Sequence, residues 1–413
     1  MSVEDDENVR LVDRISLGVL AEVVPRDVIE EVLDETGKRE QRTRLLPAHV
    51  MVRFCQAMCL FFDDDYEEVM RKLVGSLKSM GSWRGEWSVP STSAIAQARQ
   101  RLGFEPLRLL FERVAVPVAG PGARGAWLKS RRIMAVDGFM LDLQDTDENV
   151  AEFGKSDNDR KAGGFPQALV VALAECGTHA IVDAAISGYR GDEKTLARTL
   201  LGSVEPGMLV TADRNFYSFS LWSDFVDTGA DLLWRITSGV ELPVLRWLPD
   251  GSYDSILFNP QVRSRRRPQL IADATAGKPI DPEDGFRVRV VEYEVPDRDG
   301  NGTDELICLA TTIPDPAEAT ATELAWCYHQ RWEIETTFGE IKTRQRGSAR
   351  ILRSKSPDMV RQEIWAFLLT HYAIRSLMSR AADEADADPD ELSFIRTLRV
   401  VRRQVTAQAD FSP

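Results

Sequence analysis

RRIMAVDGFMLDL, residues 131–143, decides the fold. The run Ile133-Met134-Ala135-Val136 is short, apolar and rich in strand formers, so it predicts a buried strand that delivers Asp137 at or near its end. Asp137-Gly138 is also a common hairpin dipeptide, so a turn aspartate is the competing reading. Working outward, PQALVVALAECG (166–177) and THAIVDAAISGY (178–189) have the same texture and predict two further strands. GDEKTLARTLLGSV (191–204) then predicts a helix, PGMLVTADRNF (206–216) a strand, YSFSLWSDFVDTG (217–229) a helix and DLLWRITSG (231–239) a strand. The order β-β-β-α-β-α-β implies an antiparallel run followed by crossovers that create parallel neighbours, a mixed α/β architecture. The polar stretch between the first two strands, DTDENVAEFGKSDNDRKAGG (145–164), reads as a loop.

The flanks differ. Upstream, LLPAHVMVRFCQAMCLFF and YEEVMRKLVGSL repeat apolar residues at helical spacing, and Pro90-Ser91-Thr92-Ser93 offers a cap for a helix ending at Gly103. Residues 1–128 therefore form a helical region, either a DNA-end-binding domain with a helix-turn-helix-like piece or a plain packing domain. Residues 129–240 form the first part of the sheet. Residues 241–316 are rich in Pro, Gly, Asp and Arg and carry strand-like pieces such as FRVRVVEYEV, which predicts a mostly β insertion. Residues 317–413 return to helices, first through ELAWCYHQRWEIETTFGEIKT and then through DMVRQEIWAFLLTHYAIRSLM.

The chain has 413 residues, with 43% hydrophobic and 28% charged. That is ordinary for a soluble globular protein. No apolar run approaches the ~18–20 residues that cross a bilayer. The acidic N-terminus lacks a secretion signature, so the expected location is the cytoplasm, or the nucleoid space of a bacterium. Cys55, Cys59, Cys176, Cys308 and Cys327 show no paired spacing and read as buried free thiols.

Three carboxylates stand out. Asp213 ends LVTA as Asp137 ends IMAV, so neighbouring strands would set both at one sheet edge. On the downstream helix, Tyr328, Arg331, Glu335 and Lys342 fall at offsets 0, 3, 7 and 14. At ~100° per residue they share a sector of roughly 60°. One face then carries a phenol, a guanidinium, a carboxylate and an ammonium. A solvated face with an i,i+4 Arg331–Glu335 pair reads the same way.

MAVDG, TADRNFYS and YHQRWEIETTFGEIK together resemble the signature blocks of bacterial insertion-sequence transposases of the type-four group. The group's Y-x2-R-x3-E-x6-K block is met at Tyr328, Arg331, Glu335 and Lys342, and its second block at Asp213-Arg214 and Phe216. VPRDVIEEVLDETG, RTRLLPAHV and PSTSAIAQARQRLG look like the group's N-terminal domain. The resemblance implies an RNase H-like core with a β insertion before the glutamate helix. It implies a cut-and-paste DNA transposase using two Mg²⁺ ions, with Mn²⁺ as a substitute. Asp137 would bridge both ions, Asp213 would bind one and Glu335 the other. Water then cuts at the element end, and the freed 3′-hydroxyl attacks target DNA. The partners implied are duplex DNA, both the terminal inverted repeats and the target, and a second copy of the chain in the DNA complex. Members of the group often continue past this C-terminus in a basic tail, so the chain reads as shortened. A catalytically dead DNA-binding repressor and an RNase H-like nuclease that never joins strands are the alternatives.

The formal net charge of −14 opposes DNA affinity, so local patches must supply it. Between Lys342 and Gln362 seven basic residues (Lys342, Arg344, Arg346, Arg350, Arg353, Lys355, Arg361) face one acid, Asp358. Arg263, Arg265, Arg266 and Arg267 form a second cluster. Arg331 and Lys342 suit phosphates, as does the Tyr328 hydroxyl. Trp234 is either a core tryptophan or a stacking platform for an unpaired base.

Overall fold

The computed structural model describes residue 18 and residues 20–40, 45–79, 89–155, 164–295, 305–346 and 351–406. The helical region comprises α1 (Leu20–Val23), α2 (Arg26–Glu35), α3 (Ala48–Leu60), α4 (Tyr66–Ser79), α5 (Thr92–Leu102) and α6 (Glu105–Val114). Ser91 caps α5 by accepting from the Ala94 N–H at 3.3 Å, and Gly103 ends it at φ +71°. That left-handed conformation favours glycine.

Then come β1 (Trp127–Leu128), β2 (Arg131–Asp142), α7 (Asp147–Phe153), β3 (Gln167–Glu175), β4 (Ala180–Gly188), α8 (Glu193–Thr199), β5 (Met208–Ala212), α9 (Phe219–Val226) and β6 (Asp231–Arg235). β2, β3 and β4 form an antiparallel run, while β5 lies parallel to β2 and β6 parallel to β5. The stretch expected to be a loop after β2 holds α7, capped by Thr146, whose hydroxyl accepts from the Asn149 N–H. Its polarity reflects an exposed helix with capping chemistry, which periodicity over seven residues cannot register.

The segment expected as an insertion contains β7 (Arg246–Trp247), β8 (Tyr253–Phe258), α10 (Arg267–Thr275), β9 (Gly285–Val295) and β10 (Glu305–Thr311). β10 pairs antiparallel with β6, so these strands prolong the same sheet, in the order β4-β3-β2-β5-β6-β10-β9-β8-β7, with β1 alongside β2. Arg289 on β9 is fully buried and donates to Ser252, Asp250 and the Ala319 carbonyl. It ties the added strands to the next helix.

The final part comprises α11 (Ala321–Gln330), α12 (Trp332–Gly339), a π-helical segment Glu340–Gln345, α13 (Pro357–Ala385) and α14 (Phe394–Thr406). The sheet has a core on each face. Ile133, Ala135, Phe139 and Leu141 of β2 face the helices of the N-terminal region and α12–α13; Met134 and Val136 face α8 and α9. α13 packs against α3, α6 and β4 at once. At that seam Gln362 donates to the carbonyls of Arg99 and Gly103 and accepts from the Arg99 guanidinium at 2.9 Å. No helix among the described residues is long and apolar enough to cross a membrane.

Candidate active site

Asp137 does not end its strand. It sits inside β2, opposite Ala172 of β3. On the other side, pairing with β5 stops at Val136–Ala212, so Asp137 and Asp213 each follow the last paired position of two parallel neighbours. The Asp137 side chain shares the parity of Ala135 and Phe139, the face covered by α12, where the Phe139 and Phe338 rings lie 4.3 Å apart. This alternation aims a carboxylate at the helix that carries Glu335.

Arg331 joins the two elements. Its guanidinium donates to Asp137 Oδ2 at 2.9 Å and to Glu335 Oε1 at 3.5 Å. It is 3% exposed and stacks beside the rings of Tyr328 and Trp332, at 5.6 and 5.2 Å. Burial pushes the Asp137 carboxyl up to about 6, against the pull of Arg331 and the Gly138 N–H and with the push of Asp213 and Glu335. Burial also moves the Tyr328 phenol up to about 12, so it stays protonated.

The single helix expected through these residues is three pieces. At Arg331 the chain makes i→i−3 hydrogen bonds, Arg331 N–H to Tyr328 and Ile334 N–H to Arg331, which tighten the turn between α11 and α12. Beyond Gly339 the π segment widens it. A uniform 100° rotation therefore fails on both sides of Glu335. Lys342 is exposed on the π segment, whereas Tyr328 is 4% exposed, its ring supporting Arg331. The phosphate-facing surface expected of Tyr328 and Arg331 is thus folded inward.

Other expected contacts are corrected by burial and partners. Trp234 is 0% exposed, packed edge-on against Trp222 and Phe225, and has no face for a base. Arg353 donates to the Phe62 and Asp64 carbonyls and lies over the Phe62 ring, fastening the chain before α13 to the N-terminal helices. Arg361 pairs with Glu152, and Arg346 is buried. Arg266 pairs with Asp284 and Arg267 with Glu241, leaving Arg263 and Arg265 as the exposed pair of that cluster. Arg214 lies 3.8 Å from Glu305. Lys355 is exposed; Arg350 lies outside the described residues. We expect Arg353→Ala to lower stability by about 1–3 kcal/mol in urea titrations, because two buried carbonyls lose a donor. Its salt dependence of DNA binding should match the parent. Lys355→Ala should do the reverse, reducing the slope of log affinity against log salt by roughly one unit.

Two features escaped the sequence. Glu193 opens α8 on the opposite sheet face, and a Cβ on Gly138 would meet its Oε1 at 2.7 Å. The acidic GDEK start was legible only as a helix N-terminus. Behind α12 lies a buried polar clamp. Glu340 accepts from Arg375 and from His371 at 3.0 Å, and Arg375 donates to His179 Nδ1 at 3.0 Å. His179 Nε2 faces Asp390 at 2.8 Å and Glu333 at 3.8 Å. His179, Glu333 and Asp390 have the spacing of a metal site. However, a guanidinium only donates, so Nδ1 accepts and Nε2 carries the proton, which fits a clamp and not a ligand set.

The triad fits divalent ions better. Its donors are carboxylate oxygens, the donor type of Mg²⁺, and Asp137 and Glu335 already share one cation, the Arg331 guanidinium.

Comparisons with known proteins agree with this geometry. Residues 14–112 match the family described as insertion element 4 transposase N-terminal, and residues 128–372 match the transposase DDE domain. The chain is 28% identical over 405 residues to the transposase InsG for insertion sequence element IS4 of Escherichia coli (strain K12), covering 97% of this chain and 85% of that protein. A transposase for insertion sequence element IS421 of Escherichia coli is 32% identical over 95 residues, 23% of this chain and 24% of that one. In fold, a piggyBac transposase in a synaptic complex with hairpin DNA matches with TM-score 0.51 and 12% identity, covering 95% of this chain and 80% of that chain. A strand aspartate, a second aspartate on the parallel neighbour and a helix glutamate, in a sequence matched over its catalytic length, place this chain in the DDE transposase family, with an N-terminal region of the insertion element 4 type.

Proposed function

We propose that the chain cuts duplex DNA at the ends of its own element and joins the freed 3′-hydroxyl to target DNA at one site built from Asp137, Asp213 and Glu335. The carrying observation is the Arg331 guanidinium shared by Asp137 on β2 and Glu335 on α12, beside the end of β5. The strand order β4-β3-β2-β5-β6, with only the second and third strands antiparallel to the first run, supports an RNase H-like core. The three carboxylates would hold two Mg²⁺ ions, which supply an ionised water and charge for the leaving oxygen. Arg331 keeps Asp137 and Glu335 together beforehand; once they are neutralised it can offer a nitrogen to a phosphate oxygen. Lys342, exposed beyond Glu335, is a point charge for the same backbone. The DNA partners are terminal inverted repeats and target, engaged by a homodimer.

A strand-transfer assay with a pre-cut, labelled element end tests this. Joined product in Mg²⁺ supports the reading. Cleavage without joining indicates a hydrolytic nuclease, and binding without either a repressor.

The raised Asp137 carboxyl gives a pH prediction. Folded Asp137 holds its proton up to about 6, against ~4 unfolded. The folded state thus binds more protons in between, and the metal-free protein loses stability as pH rises through that window. Divalent ions compete with the proton, so Mn²⁺ affinity should drop by about tenfold per unit below pH 6. A flat calorimetric affinity from pH 5 to 7, a range of about two units, would remove Asp137 from the ligand set.

A further inference from the structure

We propose that Glu193 is a fourth carboxylate of the metal site, joining Asp213 from the sheet face opposite Glu335. The inference rests on the DDE reading above and deepens it.

The two faces of β2 lead to different helices. Asp137 points to α12, and Gly138, its neighbour, points to α8. Gly138 is not in the left-handed region, so no turn requires a glycine there. What does require one is Glu193, whose Oε1 would lie 2.7 Å from any Cβ at that position. The missing side chain lets a carboxylate rest against β2 beside the first aspartate.

The charge environment calls for a cation. Burial first, and then the charge of Asp213, hold the Glu193 carboxyl above its ordinary range, so the two acids sit within each other's field. Neighbouring cations turn away from them. Lys194 donates to the Tyr217 carbonyl at 2.8 Å, Arg214 leans to Glu305, and Arg331 serves Asp137 and Glu335. Among the described residues neither Glu193 nor Asp213 makes an ion pair. Two half-buried acids facing one another without a counter-charge are unfavourable unless a cation completes them. An acid in the first turn of α8 also enjoys the helix dipole, but that requires no approach to Gly138.

The test is Mn²⁺ binding to the full-length chain, read from the electron paramagnetic resonance signal of free Mn²⁺, alongside the Mg²⁺ concentration for half-maximal cleavage. E193Q keeps the shape and removes the charge. Its Mn²⁺ affinity should fall roughly ten- to hundredfold, as for groups that support a metal site. The Mg²⁺ half-saturation should rise in step. G138A should displace Glu193 and weaken Mn²⁺ similarly, and in an E193Q background it should add nothing, since both act on one interaction. Melting curves verify that each variant folds. Unchanged Mn²⁺ affinity in E193Q, with D213N weakened, overturns the role of Glu193 and spares the triad. Unchanged affinity in D213N as well overturns the triad.

Discussion

Cleavage at the element end is lost, by about a thousandfold or more, when Asp213 or Glu335 becomes alanine or Asp137 becomes asparagine. Each carboxylate would anchor an ion whose charge acts on the attacking or the leaving oxygen. Removing about 4 kcal/mol of such stabilisation corresponds to that factor. Asparagine suits Asp137 because it keeps a side-chain acceptor for Arg331, whereas alanine would also leave that buried guanidinium with one carboxylate. DNA affinity in Ca²⁺ should survive, because none of the three belongs to the basic surface. The measurement is single-turnover cleavage on saturating DNA. A variant that still cuts robustly excludes its residue from the chemistry.

Arg331→Ala has the second large effect, and it falls on stability before it falls on rate. The guanidinium is the counter-charge of two carboxylates, and one of them, Asp137, is largely buried. Breaking such a pair leaves an uncompensated charge, a loss of about 3 kcal/mol or more. Asp137 can escape by keeping its proton, so the loss should be smaller at pH 5 than at pH 7.5, on either side of its midpoint near 6. Mg²⁺ should restore much of what the substitution removes, since a divalent ion replaces the guanidinium between the same oxygens. Urea midpoints at both pH values, with and without Mg²⁺, decide it. A midpoint insensitive to Mg²⁺ would mean that Arg331 holds α12 by packing against Tyr328 and Trp332 alone.

Most strands were legible because short apolar runs such as Ile133–Val136 and Leu209–Ala212 bury both faces. Short range is also where the reading stopped. The hydrophobic pattern of FRVRVVEYEV predicts a strand but not its neighbour, and β9 and β10 prolong the main sheet through a β6–β10 pairing that spans some seventy residues, Arg235 to Leu309 among them. The triad's residue types were readable from local blocks. The surroundings of Arg331 were not, because the tight turn before α12 and the wide π turn after it are set by tertiary contacts such as Glu340 to Arg375 and His371. Counting positive charges misled for a related reason. Arg353 looks like its exposed neighbour Lys355 in sequence, yet it reaches the carbonyls of Phe62 and Asp64, almost three hundred residues away.

The seam at α13 bears on how such enzymes can be recombined. α3, α5 and α6 share one core with α13, and Gln362 is wired to Arg99 and Gly103 across the join. A chimera that takes the helical region from one relative and the catalytic region from another would inherit two half-interfaces with mismatched volumes and orphaned amides. A transplant of end-recognition specificity must therefore carry the outer face of α13, with Arg353 and Gln362, as part of the graft, although those residues lie far downstream in the gene.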